Sequence, residues 1–194
     1  MANIQITKVT RWHLPWLMTQ RNRPELMKFF RQTEPIQFKS QVTWWSDRMT
    51  FHKDTLKLFI VLDLKGNQIG YIGFNPIDNR HKHAEFGIFI LPEYSGKGYG
   101  TEAMIKLLDM GFNELGFNKI YSDVLDYPGE SRFEFYRMLG FKQEGRLVKH
   151  YFKNGKWVDA IQFAMLLDEY KNIKDKLGTR EKERTSLSKV EVLG

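Results

Sequence analysis

Apolar side chains recur at two different periods along the chain, and the switches between them divide it into elements. Residues 3–9 (NIQITKV) alternate apolar and polar, which predicts a first strand. From Arg11 to Arg31 the spacing turns helical, with Trp12, Trp16 and Leu17 on one side. It restarts at Pro24, a good first-turn residue, ahead of Leu26, Met27, Phe29 and Phe30. Ser40 reads as the N-cap of a third short helix over QVTWWSDRM. Alternation then returns: LKLFIVLDL, the turn KGNQ, IGYIGFNPI, the polar turn DNRHKH and AEFGIFI predict a three-stranded antiparallel meander. Glycines in the second of these strands mark places where a neighbour crowds the backbone.

Residues 101–115 (TEAMIKLLDMGFNEL) carry the pattern of a long amphipathic helix ended by Gly116. NKIYSDVL predicts another strand, ESRFEFYRML a helix closed by Gly140, and residues 142–166 a long hairpin turning at Asn154-Gly155. Helices first, then strands, then a β-α-β-α-β-β run describe a mixed α/β layout of the α+β type around one mostly antiparallel sheet. The last hairpin offers an exposed edge, one route to a homodimer.

Composition narrows what such a domain does. At 194 residues the chain is long enough for one full core and short for two. It has no cysteine, which rules out disulfides, thiol nucleophiles and thiolate metal sites and suits a reducing, cytoplasmic setting. Neither a signal-peptide core nor a membrane-spanning run is read from the sequence. The formal charge of +7 is spread rather than gathered in a block, which argues against direct nucleic-acid binding and fits an enzyme handling an anionic cofactor. DKLGTREKERTSLSKVEVLG is polar and mixed in charge, so residues 178–194 are expected to form a flexible tail beyond a domain over 1–177. No His and carboxylate spacing demands a metal, and none is expected.

The densest signal is YSGKGYGTEAM, with Gly96, Gly98 and Gly100 around Lys97, between a strand and a helix. A Walker loop is excluded by spacing. GYGTEA does satisfy the dinucleotide pattern, with Asp123 at the distance of a ribose ligand. Against that reading, LPEYSGK separates the turn from its strand, and antiparallel hairpins surround it. A diphosphate held on successive backbone N–H groups at the helix N-terminus suits this turn, since unpaired donors and the positive end of the helix dipole coincide there.

That turn resembles the acetyl-CoA loop of the GNAT superfamily of N-acetyltransferases. Gly98 and Gly100 fall on its two small positions, and Ser95 stands where an Arg or Gln is usual. FYRMLGF is similar to the family's xYxxxGF signature. EGRLVKHYFKNGKWVDAIQFAML is similar to the closing hairpin of its ribosomal-protein, polyamine and amino-sugar branches. Upstream of the signature Gly129 and Arg132 replace the usual Asn and Ala. The resemblance implies a single GNAT-like domain with a six- to seven-stranded sheet and helices on both faces. It implies an acyltransferase that moves an acetyl group from acetyl-CoA to a primary amine. Cofactor contacts are then implied at Phe89, Ile90, Leu91, Ser95, Gly96, Lys97, Gly98, Tyr99, Gly100 and Thr101, with strand amides near Ile90 stabilising the thioester oxygen.

An attacking amine must lose its proton, and the departing thiolate gains from receiving one. The resemblance assigns Tyr136 as the acid, against the plainer reading of a packed helix residue. Glu85 is the candidate base, pointing to the face opposite Phe86, and His83 is the second candidate. For the acceptor, Arg21, Asn22 and Trp44 resemble the opening of acetylases acting on nucleotide-linked amino sugars, with Trp45 as a stacking neighbour. That acceptor is favoured here. Protein N-terminal acetylation is the runner-up, and a polyamine acceptor would call on Glu34, Glu85, Asp126 and Glu130. A non-catalytic acyl-CoA-binding module is the alternative outside enzymes.

Overall fold

The computed structural model describes residues 4–127 and 132–175. Strand β1 (Gln5–Lys8) leads through a 3-10 turn at Arg11–His13 into α1 (Leu14–Arg21) and α2 (Pro24–Met27). Then come α3 (Phe38–Phe51), β2 (Lys57–Leu62), β3 (Gln68–Asp78), β4 (His83–Ile90) and α4 (Tyr99–Asp109), which loosens into a π turn at Met110–Glu114. Strand β5 (Lys119–Leu125), α5 (Arg132–Met138), the hairpin β6 (Lys142–Lys153) and β7 (Lys156–Leu166), and a helix α6 over 167–175 complete it.

All seven strands join one sheet in the order β1-β2-β3-β4-β5-β7-β6. Every neighbouring pair is antiparallel except β4 with β5. One parallel pair is incompatible with a doubly wound dinucleotide fold, so that reading of GYGTEA is withdrawn. The closing hairpin turns at Asn154 and Gly155, both at positive φ as a tight two-residue turn requires. It leaves β6 on the sheet's edge, where the sequence put it.

The N-terminal helices differ from expectation. Trp12 sits in the 3-10 turn and is 88% exposed, so it does not share the buried side of Leu17. The helix stops at Arg21 because Pro24 disfavours helical backbone in the residue before it; Arg23 is extended at φ −61, ψ 123. The restart lasts one turn, so Phe29 and Phe30 belong to the loop over 28–37. Ser40 lies inside α3, whose N-cap is Gln37.

The two faces of the sheet are filled differently. Alternation along β4 sends Ala84 and Phe86 into the main core with Met104, Leu107, Leu108 and Phe112 of α4 and its π turn, and Ile88 and Ile90 pack against the same core. The opposite face carries Phe89 and Leu91 against Leu26, with Phe29, Phe30 and Tyr71 around them. Helix α6 locks onto α4 through Tyr170, which stacks on Phe112 at 4.9 Å and donates to Asp109 at 3.0 Å. Gly70 of β3 has no room for a side chain, since a Cβ there would lie 2.2 Å from the Phe89 carbonyl oxygen. Among the described residues no helix is long and apolar enough to cross a membrane.

Candidate active site

The site begins where the sheet comes apart. β4 and β5 pair only over His83–Glu85 against Lys119–Tyr121, yet β4 runs on to Ile90 and β5 to Leu125. From Phe86 onward the two strands diverge and leave a wedge. Leu91 donates its N–H to Ile69 on the β3 side at 2.8 Å. Strand N–H groups alternate in direction, so the Ile90 N–H points the other way, into the wedge. The amides of Leu91 and Phe89 face β3, so only Ile90 of the three expected residues offers a strand N–H to a thioester there. Pro92 follows with no N–H to extend the ladder.

At the wedge's open end the chain enters α4. Gly98 is the N-cap in the left-handed region at φ +88, a conformation that strains any residue with a Cβ, and Gly96 is at φ +74. Glu102 makes the first intrahelical bond, to the Gly98 carbonyl, so the N–H groups of Tyr99, Gly100 and Thr101 have no intrahelical partner. A Cβ at Gly100 would meet Ile90 and Phe135 at ordinary contact distances. Two expected donors are spent elsewhere. The Ser95 N–H donates to the Pro92 carbonyl at 2.9 Å, and the Lys97 ammonium turns back to the Glu93 carbonyl at 2.9 Å, above the Tyr94 ring. The candidate amides for an anion at this turn therefore run from Gly96 to Thr101.

Tyr136 of α5 lies on the core side of the sheet among Phe86, Phe135, Phe141 and Phe163, with ring centroids 5.4–6.0 Å away. Burial pushes its phenol up to about 12, slightly relieved by Arg132. It therefore stays protonated at any working pH and is suited to donating a hydrogen bond.

The opposite face is charged. Glu85, 9% exposed, lies beside Asp123 and Tyr121 of β5, and Gln162 of β7 donates to Asp123 at 3.1 Å. Arg31 reaches down from the 28–37 loop, donates to Glu85, stands 4.0 Å from Asp123 and covers the Tyr151 ring at 5.5 Å. Desolvation raises the Glu85 carboxyl above the usual range, and the Arg31 hydrogen bond and charge hold it back, while Asp123 pushes it further up. His83 also lies near this face, its ring against Tyr121 at 5.7 Å. It gathers with His81 and Asp78 at the β3–β4 turn. There Asp78 accepts from the His81 N–H at 2.8 Å, the usual way an aspartate closes a turn.

The acceptor residues read from the sequence separate. Asn22 is structural: its side chain both donates to and accepts from the Ile36 backbone at 2.7 Å, tying down the 28–37 loop. Arg21 and Trp44 do come together, with Gln41 and Tyr71, but around a partly open pocket with only about 30 Å³ of free volume. That holds water and excludes a sugar. Trp45 packs beneath α3 against the cluster of Leu14, Leu17 and Ile60. Of the expected acidic set, Glu34 is exposed and Asp126 is paired with Arg146 at 3.1 Å. Gly129 and Glu130 lie outside the described residues. Asp123 partners Glu85 instead, a pairing that strand alternation on β4 and β5 would have suggested had their register been known.

A family model for the acetyltransferase (GNAT) domain matches residues 3–126, well over half of the chain. The chain belongs to the GNAT acetyltransferases. As a member it is an acetyl-CoA-dependent N-acetyltransferase. It is 29% identical over 168 residues to the spermidine N(1)-acetyltransferase of Escherichia coli K12, covering 87% of this chain and 88% of that one. A crystal structure of the spermidine N-acetyltransferase of Vibrio cholerae, in complex with CoA and spermine, superposes with a TM-score of 0.81 at 26% identity, covering 88% of this chain and 99% of that one. A dodecameric structure of the Vibrio enzyme in an intermediate state matches with a TM-score of 0.75 at 27% identity, covering 88% and 97%.

Proposed function

We propose that this GNAT enzyme acetylates a primary amine of the polyamine class, bound on the charged face of the sheet. The observation that carries this reading is the pair of carboxylates, Glu85 and Asp123, on the acceptor side of the β4–β5 wedge. A cation already sits between them, contributed by Arg31. An alkyl ammonium makes the same charge-assisted hydrogen bonds. The local field at these carboxylates differs in sign from the overall charge of +7. The relatives acting on spermidine support the same class. The amino-sugar reading favoured from the sequence loses its physical basis, because Asn22 is engaged and the space at Arg21 and Trp44 is too small.

In this reading the diphosphate of acetyl-CoA lies on the amides from Gly96 to Thr101, and the acetyl group enters the wedge. Glu85 takes the proton the ammonium must lose, its raised carboxyl bringing it nearer to the amine. The nitrogen lone pair attacks the thioester carbon, and the oxygen that gains charge accepts from the Ile90 N–H. The carbon–sulfur bond then breaks, and its electron pair leaves on sulfur toward the Tyr136 hydroxyl. A phenol pushed to about 12 does not hand over its proton readily to a thiolate, so Tyr136 acts as a hydrogen-bond donor, and the second proton, which the nitrogen sheds as the amide forms, passes through water to the sulfur. The folded unit is read as residues 1–177, and a chain cut after Leu177 is expected to keep turnover. An oligomer formed through the β6 edge agrees with the multimeric relative.

Free-thiol release from acetyl-CoA, measured with spermidine, spermine and putrescine against nucleotide amino sugars and N-terminal peptides, tests the reading. Polyamines are expected to give the highest kcat/KM. A higher value for an amino sugar or a peptide overturns the assignment.

A further inference from the structure

Lys153 is the last residue of β6, at the tip of a hairpin, where a lysine is ordinarily solvated. Here it is 4% exposed. Its ammonium donates to three backbone carbonyls, that of Met27 at the end of α2 at 3.2 Å and, in the loop that follows, those of Phe30 at 2.7 Å and Gln32. Two of these flank Arg31 in sequence. Tyr151, two residues back on the same face of β6, lies under the Arg31 guanidinium. One strand end therefore grips the backbone on either side of Arg31 and supplies the ring its side chain crosses. Burying an ammonium is costly and is tolerated only when its donors are satisfied, which ties Lys153 to this loop geometry.

We infer that Lys153 is a positioning residue for Arg31: by fixing the loop on both sides it holds the guanidinium against Glu85 and Asp123. Through Arg31 it sets the ionisation of Glu85 and the charge an acceptor brings to the site. The inference rests on the reading of Glu85 as the carboxylate at the acceptor end. Every element around Glu85 contributes a titratable or charged group: Arg31 from the loop, Asp123 and Tyr121 from β5, Tyr151 from β6 and His83 from its own strand. Arg31 is the cation hydrogen-bonded to Glu85, so its position governs the carboxylate more than the others do. An incoming amine cation competes with Arg31 for the two carboxylates. The enzyme with Arg31 in place therefore discriminates against dications more than one without it.

The decisive experiment follows the Glu85 carboxylate directly, by carbon-13 NMR titration of protein labelled at glutamate Cδ, with Glu85→Gln to assign the resonance. Removing the guanidinium in Arg31→Met is expected to raise the Glu85 midpoint by about one to three units. Lys153→Met is expected to raise it part of the way and to add nothing in the double variant, since both act through one group. In parallel, the ratio of KM for spermidine to KM for a monoamine should fall in Arg31→Met, and less in Lys153→Met. A Glu85 midpoint unmoved by Lys153→Met, or effects that add in the double variant, overturns the inference. Lys153→Arg, whose planar guanidinium does not satisfy the same three carbonyls, is read on the same midpoint if Lys153→Met does not fold. Undiminished polyamine turnover in Glu85→Gln would instead sink the acceptor reading, while the titration still decides the role of Lys153.

Discussion

The two faces of this sheet are built from different chemistry over the same strands. On the side of α4 and α5, Tyr136 is ringed by phenylalanines, and packing alone fixes its place and holds its proton. On the other side, Glu85, Arg31 and Tyr151 shift one another beside Asp123, so moving one changes its neighbours. The first face tolerates little change of volume, and Tyr136 on it keeps its proton through the working range. The second tolerates shape better than charge. A residue's contribution to stability and to reaction therefore separates by face.

Four measurements break or sharpen that contrast. The largest effect is expected from Glu85→Gln, which keeps shape and removes charge. Its kcat/KM for the amine should fall by about 10²–10⁴, with the thermal midpoint unchanged or higher, as steady-state rates and melting curves would show. On the apolar face, Phe163→Ala should do the reverse. Its ring is fully buried, so truncation should cost about 3–5 kcal/mol in denaturant unfolding, while the protein that remains folded keeps its preference among amines.

Tyr136→Phe is expected to lower kcat about tenfold, the worth of one hydrogen bond to a charged sulfur. Its alkaline limb should not move, because a phenol held at about 12 keeps its proton throughout the working range. A limb that shifted in the variant would mean that the phenol titrates in turnover. The smallest effect is expected at Asp78, whose carboxyl is held at about 2 by the His81 N–H and ring. A depressed folded value stabilises above the unfolded pKa of about 4 and is lost as pH falls toward 2. Asp78→Asn should therefore melt slightly earlier at neutral pH and match the parent near pH 2.

The elements written in local patterns were legible in advance. Alternation located the strands of the meander, and Asn154-Gly155 announced the last turn. The glycines from 96 to 100 pointed to an anion at a helix start, although Ser95 and Lys97 turned out to serve their own turn. Tyr136 was singled out as a candidate by its spacing to Gly140 and Phe141, and it lies buried among aromatic rings. The charged face was not legible, because its members come from residues 31, 85, 123, 151 and 153 and meet only through strand register and a loop. Nothing local distinguishes Lys153, one of many lysines beside a turn, from its solvated neighbours. Asn22 misled for a similar reason: a side chain suited to a hydroxylated ligand is equally suited to a backbone amide fourteen residues away.

The hairpin tip beside Lys153 has a consequence for how this protein varies. Surface turns normally absorb insertions and deletions without harm, since neither end is answerable to anything else. Here one extra residue ahead of the turn would swing the ammonium to the wrong side of the ribbon, and two would carry it about 7 Å past the carbonyls it meets. Variants altered in length at this distant loop should thus behave like substitutions in the reaction centre, and grafting a longer turn there is a way to retune the enzyme without touching any residue that meets its substrates.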